Sequence, residues 1–388
     1  MSKRQKEGEK KMKKVLCLLL SVFMVLALAG CSGSSNEGTD TASSDASSDG
    51  YKIAVVTDVG QLNDGGFNQG TYEGAKEFAE ANGISYKYYQ PANGADATDD
   101  DRIAAMRQAI EGGAEVIVTP GFLQETAIKT VAAESPEVKF LFVDGYTLGL
   151  ANVTAISYQE EQSGFFAGYA AVKDGYTKLG GTFGGAGANP ACNRFAYGYA
   201  QGANAAAGEL GTTVDVKISF QNGAAFSASP ELLTQISGWY ANGTEVVFSC
   251  GGSMVSSVIA AAQENGNAKV IGVDVDQAGL YDGVITSAVK GLSASVVKVL
   301  GEWNNGEWDS KLADKESKLG AADNATGIPT ASSSWRFAKF TTAEYEELFA
   351  KVVAGEVTIK SDVGADMSTA DAWASLKADC KNINLVIE

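Results

Sequence analysis

From Tyr51 onward, short β-branched and aromatic runs alternate with alanine-rich amphipathic stretches, and the runs end on a polar residue or a glycine. This order constrains the fold most, because strands alternating with helices build a parallel sheet covered on both faces. Strands are predicted near 51–58, 84–90, 116–120, 139–144 and 153–158, followed by a helix near 160–174. The pattern restarts at Lys178-Leu-Gly-Gly-Thr-Phe-Gly-Gly185 and continues with strands near 212–220, 245–250 and 269–274. Such a restart marks a second lobe, and a 388-residue chain has room for two. The expected division is an N-terminal lobe over 51–160, a C-terminal lobe over 161–280, and segments over 281–388 that recross between them. The last part, with Trp303, Trp308 and Trp335, carries the least readable pattern.

In open α/β sheets, ligands bind beyond the carboxyl ends of the strands. The residues found there are Asp58, Gly121, Asp144, Gly251 with Gly252, and Asp274. After the first strand comes Asn63-Asp-Gly-Gly-Phe-Asn-Gln69. Asn63 or Asp64 suits a helix cap, and Gly65-Gly66 lets the backbone approach a ligand closely. Phe67, flanked by Gly66 and Asn68, reads as a ring facing a cleft, although core packing would also explain it. Phe226 has similar surroundings in the second lobe, so two rings from two lobes would sandwich a flat ligand. Asp274 and Asp276, together with Lys290, supply acceptors and a donor of the kind that hold vicinal hydroxyls. The plainer alternative for Lys290 is a surface ion pair with Asp276.

The chain contains no histidine, which removes Ser-His-Asp triads, Cys-His pairs and His-ligated metals. Asp274-x-Asp276 lacks the rest of an EF-hand loop, so no metal is expected, and no cofactor is called for. Gly180 to Gly187 lacks the lysine of a P-loop and reads as a permissive strand-to-helix turn. Cys192 and Cys250 fall near strand ends and could bridge in an oxidising compartment; buried free thiols, for these and for Cys380, are the plainer reading.

The formal charge is −17. Residues 1–30 hold seven of the 30 basic and two of the 47 acidic residues, so the remainder carries 23 against 45, or −22. Such a body repels nucleic-acid phosphates and anionic lipid, and no nucleic-acid partner is expected. The basic head over residues 3–14 and the apolar run Val15–Ala29 form a secretory signal, too short at about fifteen residues for the ~20 of a spanning helix. Translation starting at Met12 would leave a conventional short basic head. Ser32 to Gly50 is polar and small throughout and is expected to be a flexible tether.

Leu28-Ala-Gly-Cys31 resembles a bacterial lipobox, which implies a lipid-modified Cys31 as the first residue of a mature, membrane-anchored chain. Val56-Thr-Asp58, Asn63-Asp-Gly-Gly-Phe-Asn-Gln69, Phe142-Val-Asp144, Gly272-Val-Asp-Val-Asp-Gln277 and Thr286-Ser-Ala-Val-Lys290 resemble the basic membrane protein family of bacterial lipoproteins, of purine nucleoside receptor type. The resemblance implies a type I periplasmic-binding-protein fold, two Rossmann-like lobes with a hinge and three crossovers. It also implies a non-enzymatic monomer on the outer face of the cell membrane that delivers a nucleoside to the permease subunits of an ABC importer. On this resemblance Phe67 and Phe226 would stack the base, and Asp58, Asn68 and Asp144 would make polar contacts. Gly251 or Gly252 would contribute backbone, and Asp274 with Lys290 would hold the ribose. Other readings of the same residues are a sugar-binding protein, a nucleoside hydrolase and a surface sensor. The hydrolase is disfavoured because no Asp-x-Asp follows the first strand and histidine is missing.

Overall fold

The computed structural model describes residues 50–59, 61–266, 268–361 and 370–388. The expected signal, Cys31 and all but the last residue of the tether lie outside the described residues. The chain opens with β1 (Ile53–Val56), α1 (Phe67–Asn82), β2 (Tyr86–Tyr89), α2 (Asp99–Glu111), β3 (Val116–Pro120), α3 (Glu125–Glu134), β4 (Lys139–Val143) and β5 (Val153–Tyr158). It continues with α4 (Glu160–Asp174), β6 (Lys178–Phe183), α5 (Pro190–Leu210), β7 (Val214–Ser219), α6 (Pro230–Ala241), β8 (Val246–Cys250), α7 (Met254–Glu264), β9 (Lys269–Asp274) and β10 (Val284–Lys290). The last elements are α8 (Leu292–Asn304), β11 (Glu316–Leu319), β12 (Thr326–Gly327), α9 (Thr342–Val353), α10 (Ala370–Asp379) and β13 (Ile383–Ile387).

Two sheets form, ordered β11-β5-β4-β3-β1-β2 and β12-β10-β9-β8-β6-β7-β13. Every pairing is parallel except β10 with the two-residue β12. Strand β1 explains why the first sheet reads as an unbroken apolar run. Ile53 and Val55 enter one core cluster, Ala54 and Val56 another on the opposite face, and all four are fully buried. The second lobe also has a cluster on each face of its sheet: one centred on Phe166, Phe183, Phe195 and Phe248 reaches Tyr345 and Leu348 of α9, and the other gathers Leu232, Trp239, Val247 and Val258.

Three segments pass between the lobes. One follows β5 at Gln159, one follows β10 at Gly291, and one joins β11 to β12. They are bonded to each other: Gln159 N–H donates to Leu319 O at 2.8 Å and Gly291 N–H to Ala325 O at 2.8 Å. Gln162 Oε1 ties the third passage to α4 by accepting from Ala321 N–H and Thr326 Oγ1, each at 2.7 Å.

Glycines set the closest helix contacts. A Cβ on Gly164 or Gly168 of α4 would lie 2.2 Å from a carbonyl oxygen of α5, Phe195 O or Tyr199 O. On α5 the reciprocal positions are Gly198 and Gly202, 1.9 Å from Glu161 O and 2.0 Å from Phe165 O. Backbone therefore meets backbone along this crossing, where any side chain would force the helices apart.

Candidate functional site

Both sheets reverse their strand order at one place, between β1 and β3 in the first lobe and between β6 and β8 in the second. The crevice at such a switch point is where doubly wound sheets take ligands. Asp58 and Gly121 follow the first pair of strands, Gly184 and Gly251 the second. A cavity of about 330 Å³ opens there, lined from both lobes, within the size range of small-molecule sites (roughly 300–1,000 Å³). Asp58, Phe67, Asn68, Asp144, Phe226, Gly251, Gly252, Asp274 and Lys290 all line it.

The turns that follow the strands explain the presence of these residues. Asp144, Phe226 and Asp274 adopt left-handed backbone, with φ of 58°, 54° and 65°. Asp tolerates this conformation better than most residues, so β4 and β9 each turn on a carboxylate that points at the crevice. Gly251 and Gly252 are also at positive φ, and a Cβ on Gly252 would sit 2.5 Å from Phe226 O. The glycine cluster after β6 seats the Phe226 ring, because a Cβ on Gly184 would come within 2.5 Å of Phe226 Cδ1. From its residues alone this cluster is a permissive turn; in the fold it is the seat of a ring that lines the crevice. Phe67 and Phe226 are each partly exposed, Phe67 packed against the first-lobe core and Phe226 against the second.

Asp64 accepts backbone N–H donations from Gly66 at 2.8 Å, Asn68 at 3.0 Å and Gln69 at 3.2 Å, which fixes the entry into α1. Burial raises its carboxyl above the usual range despite these bonds. Asp58 is 8% exposed, a buried residue and not the solvated turn residue that a carboxylate just past a strand would suggest.

Lys290 organises the charge. Its Nζ donates to Asp144 Oδ2 at 2.6 Å across the lobes, and lies 3.5 Å from Asp274 Oδ1 and 3.4 Å from Glu160 Oε1. It also sits 4.9 Å from the centre of the Phe67 ring. The Asp276 pairing does not form: Asp276 accepts from Ser334 Oγ and from Ala278 N–H, because its side chain follows the turn after β9 away from the crevice. Burial pushes both Asp144 and Asp274 up to about 6, with Lys290 opposing it. Lys290 is held well above its ordinary value: burial alone would lower it, but Asp144, Asp274 and Glu160 prevail. Glu160 stays below its usual value because Arg194, whose Nε donates to it at 2.5 Å, and Lys290 outweigh its burial.

Asp144 Oδ1 and Asn68 Oδ1 are buried with no hydrogen-bond partner. Unmatched buried acceptors are uncommon, and two in one cavity call for donors from a ligand. Sequence reasoning missed Glu160, which a helix first turn would carry for electrostatic reasons alone. It also gave the cavity no part of Cys192 and Cys250, both of which line it. These two thiols and Cys380 are free and buried, Cys192 Sγ approaching Cys250 O at 3.9 Å. No cluster of three or more potential metal ligands occurs among the described residues. No helix among them is long and apolar enough to cross a membrane.

With this geometry in place, comparison with known proteins gives a consistent picture. The family model described as ABC transporter substrate-binding protein PnrA-like matches residues 51–361. The ABC transporter nucleoside-binding protein BmpA of Lactococcus lactis subsp. cremoris is 27% identical over 368 residues, covering 88% of this chain and 97% of that protein. Basic membrane protein B of Borreliella burgdorferi is 28% identical over 300 residues, covering 74% and 83%. An ABC transporter solute-binding protein from Aeropyrum pernix superposes with a TM-score of 0.67 at 21% identity, covering 84% of this chain and 98% of that one. The match over 51–361, on a two-lobed frame with its crevice at paired switch points, makes the chain a member of the PnrA-like family of ABC transporter substrate-binding proteins.

Proposed function

We propose that this substrate-binding protein captures a nucleoside, purine in preference to pyrimidine, between its lobes and delivers it to the permease of an ABC importer. It acts as a binder and not an enzyme, as a monomer held on the extracytoplasmic face of the membrane through a lipid on Cys31. One observation carries the reading: two aromatic rings from different lobes share a cavity with buried, unmatched acceptors on Asp144 and Asn68. A base offers flat faces to the rings and an N–H group to Asn68, the vicinal sugar hydroxyls suit Asp274 and Lys290, and the 5′ hydroxyl has a donor for Asp144. Stacking on aromatic side chains contributes about 1–3 kcal/mol per base, and vicinal hydroxyls would add donors to carboxylates that are otherwise paired only with Lys290. The nucleoside-binding relative from Lactococcus lactis supports the same ligand class.

The test is a thermal-shift panel of purine nucleosides, pyrimidine nucleosides and free sugars, followed by calorimetry on the best of them. Purine nucleosides should raise the melting temperature most, and Phe67→Ala and Phe226→Ala should each weaken binding at least tenfold. A panel in which a free sugar stabilises more than every nucleoside overturns the reading.

A further inference from the structure

Beside the crevice lies a second cavity of about 470 Å³, which shares Phe122, Asp144, Asn189 and Ala191 with the first. Its other walls come from both lobes: Tyr146, Ser157, Glu316 and Lys318 from the first, Arg194 from the second. A bare nucleoside held by the two rings and the Asp274–Lys290 pair makes no use of these groups. Asp144 stands at the junction, with Oδ2 on Lys290 and the buried Oδ1 unmatched. Both charge signs line the walls. Asp144 and Glu316 are the acids, and Glu316 accepts from Ser157 Oγ. Arg194 and the exposed Lys318 are the bases, and Arg194 is anchored through Nε on Glu160, which leaves the rest of its donor fork at the wall. A single anionic group would face two carboxylates here, and a single cationic group two cations.

The geometry points to a subsite for a zwitterionic, amino-acid-like substituent on the 5′ carbon of the nucleoside, its ammonium on Asp144 and Glu316 and its carboxylate on Arg194 and Lys318. This rests on the nucleoside reading above: with the vicinal hydroxyls on Asp274 and Lys290, the 5′ position is the one left to carry a group past Asp144. Such a ligand would touch both lobes at two places, so its tail would add to closure as well as to affinity.

The experiment is calorimetry on the full chain with three probes: whichever of adenosine, inosine or guanosine binds best, its 5′-homocysteinyl thioether (S-adenosylhomocysteine in the adenosine case), and its 5′-monophosphate. Each is repeated on Lys318→Glu, a position outside the first cavity. The thioether should bind at least as tightly as its parent, and the monophosphate at least tenfold more weakly. Lys318→Glu should weaken the thioether about fivefold and leave the parent within twofold, which also reports that the variant is folded. A parent that binds while its thioether binds tenfold more weakly overturns the subsite and leaves the nucleoside reading standing. A monophosphate tighter than the thioether, or equal losses of parent and thioether in Lys318→Glu, overturns it too. Failure of all parent nucleosides to bind overturns both readings.

Discussion

Lys290 is the residue on which the site's charge balance turns. Its side chain is 2% exposed, and the ammonium faces Asp144, Asp274 and Glu160 together. Removing one partner of a buried ionic group leaves the others uncompensated, a loss of roughly 3–5 kcal/mol. We expect Lys290→Met to lose stability on that scale in urea denaturation at pH 7. The pH dependence follows from the partners. Asp144 and Asp274 ionise at about 6 in the folded chain, against roughly 3.9 for an unfolded aspartate. The folded chain therefore keeps protons that the unfolded chain releases, so these two groups lower stability as pH rises from about 4 towards 6. Without Lys290 both would hold their protons to still higher pH, and protonated carboxyls need no counter-charge. The deficit of Lys290→Met should consequently shrink at pH 5 and be full at pH 8. Equal deficits at the two pH values would show that the lysine contributes packing and not charge.

At the scale of elements, the α4–α5 crossing fixes how the second lobe meets the hinge, since α4 begins at Glu160, straight after the first passage between lobes. Gly198→Ala places a methyl against Glu161 O, which has no room to yield without moving α4 itself. Overpacking of this kind costs about 1–3 kcal/mol, and we expect the upper end together with weaker ligand binding, because Glu160 and Arg194 shift with their helices. An unchanged melting temperature would mean that the helices separate freely. The crossing was legible in principle, as Gly164-x-x-x-Gly168 and Gly198-x-x-x-Gly202 stand in the chain. In alanine-rich helices, though, such glycines also look like tolerated weak points, and nothing local says which helix they approach. The strand ends were easier. Asp144 and Asp274 each follow an apolar run, and a carboxylate at that place needs water or a partner whatever the rest of the chain does. Glu160 was invisible for the opposite reason, as its partners Lys290 and Arg194 lie far along the chain and its position in a first helical turn already accounts for it. The expected strands near 51–58 and 84–90 are shorter in the structure, β1 ending at Val56 and β2 spanning Tyr86–Tyr89. Tyr51, Lys52, Ile84 and Ser85 lead into these strands, and Thr57, Asp58 and Gln90 already belong to the connections to the next helices.

For the whole molecule the question is what holds the lobes in register around a ligand. Besides Lys290 with Asp144, a hydrogen bond joins them at the crevice rim: Gln277 Nε2 donates to Gly65 O at 2.8 Å. Gln277 is buried, and its Oε1 accepts from Val273 N–H at 3.0 Å while its own N–H donates to Ser287 Oγ at 3.0 Å. The side chain is therefore rigid within the second lobe and presents a single donor to the first. Helix α1 adds contact at the same rim, where Gly70 admits Val275 Cγ1 of the second lobe to within 2.8 Å of where its Cβ would be. A closed state stabilised by few contacts opens readily when one is removed, and a ligand bound through both lobes then leaves faster. Gln277→Glu, measured at pH 8 where the new carboxyl is ionised, tests this effect, because it retains the acceptor for Val273 while setting an oxygen against Gly65 O. A net hydrogen bond is worth about 0.5–1.5 kcal/mol, equivalent to roughly a two- to twelvefold change in an equilibrium constant. Stopped-flow displacement of a bound ligand should show the off-rate raised by at least that range, since repulsion adds to the lost bond, with the on-rate altered by less than twofold. A slower on-rate with an unchanged off-rate would place Gln277 in the open state's approach to ligand and not in the closed state's grip.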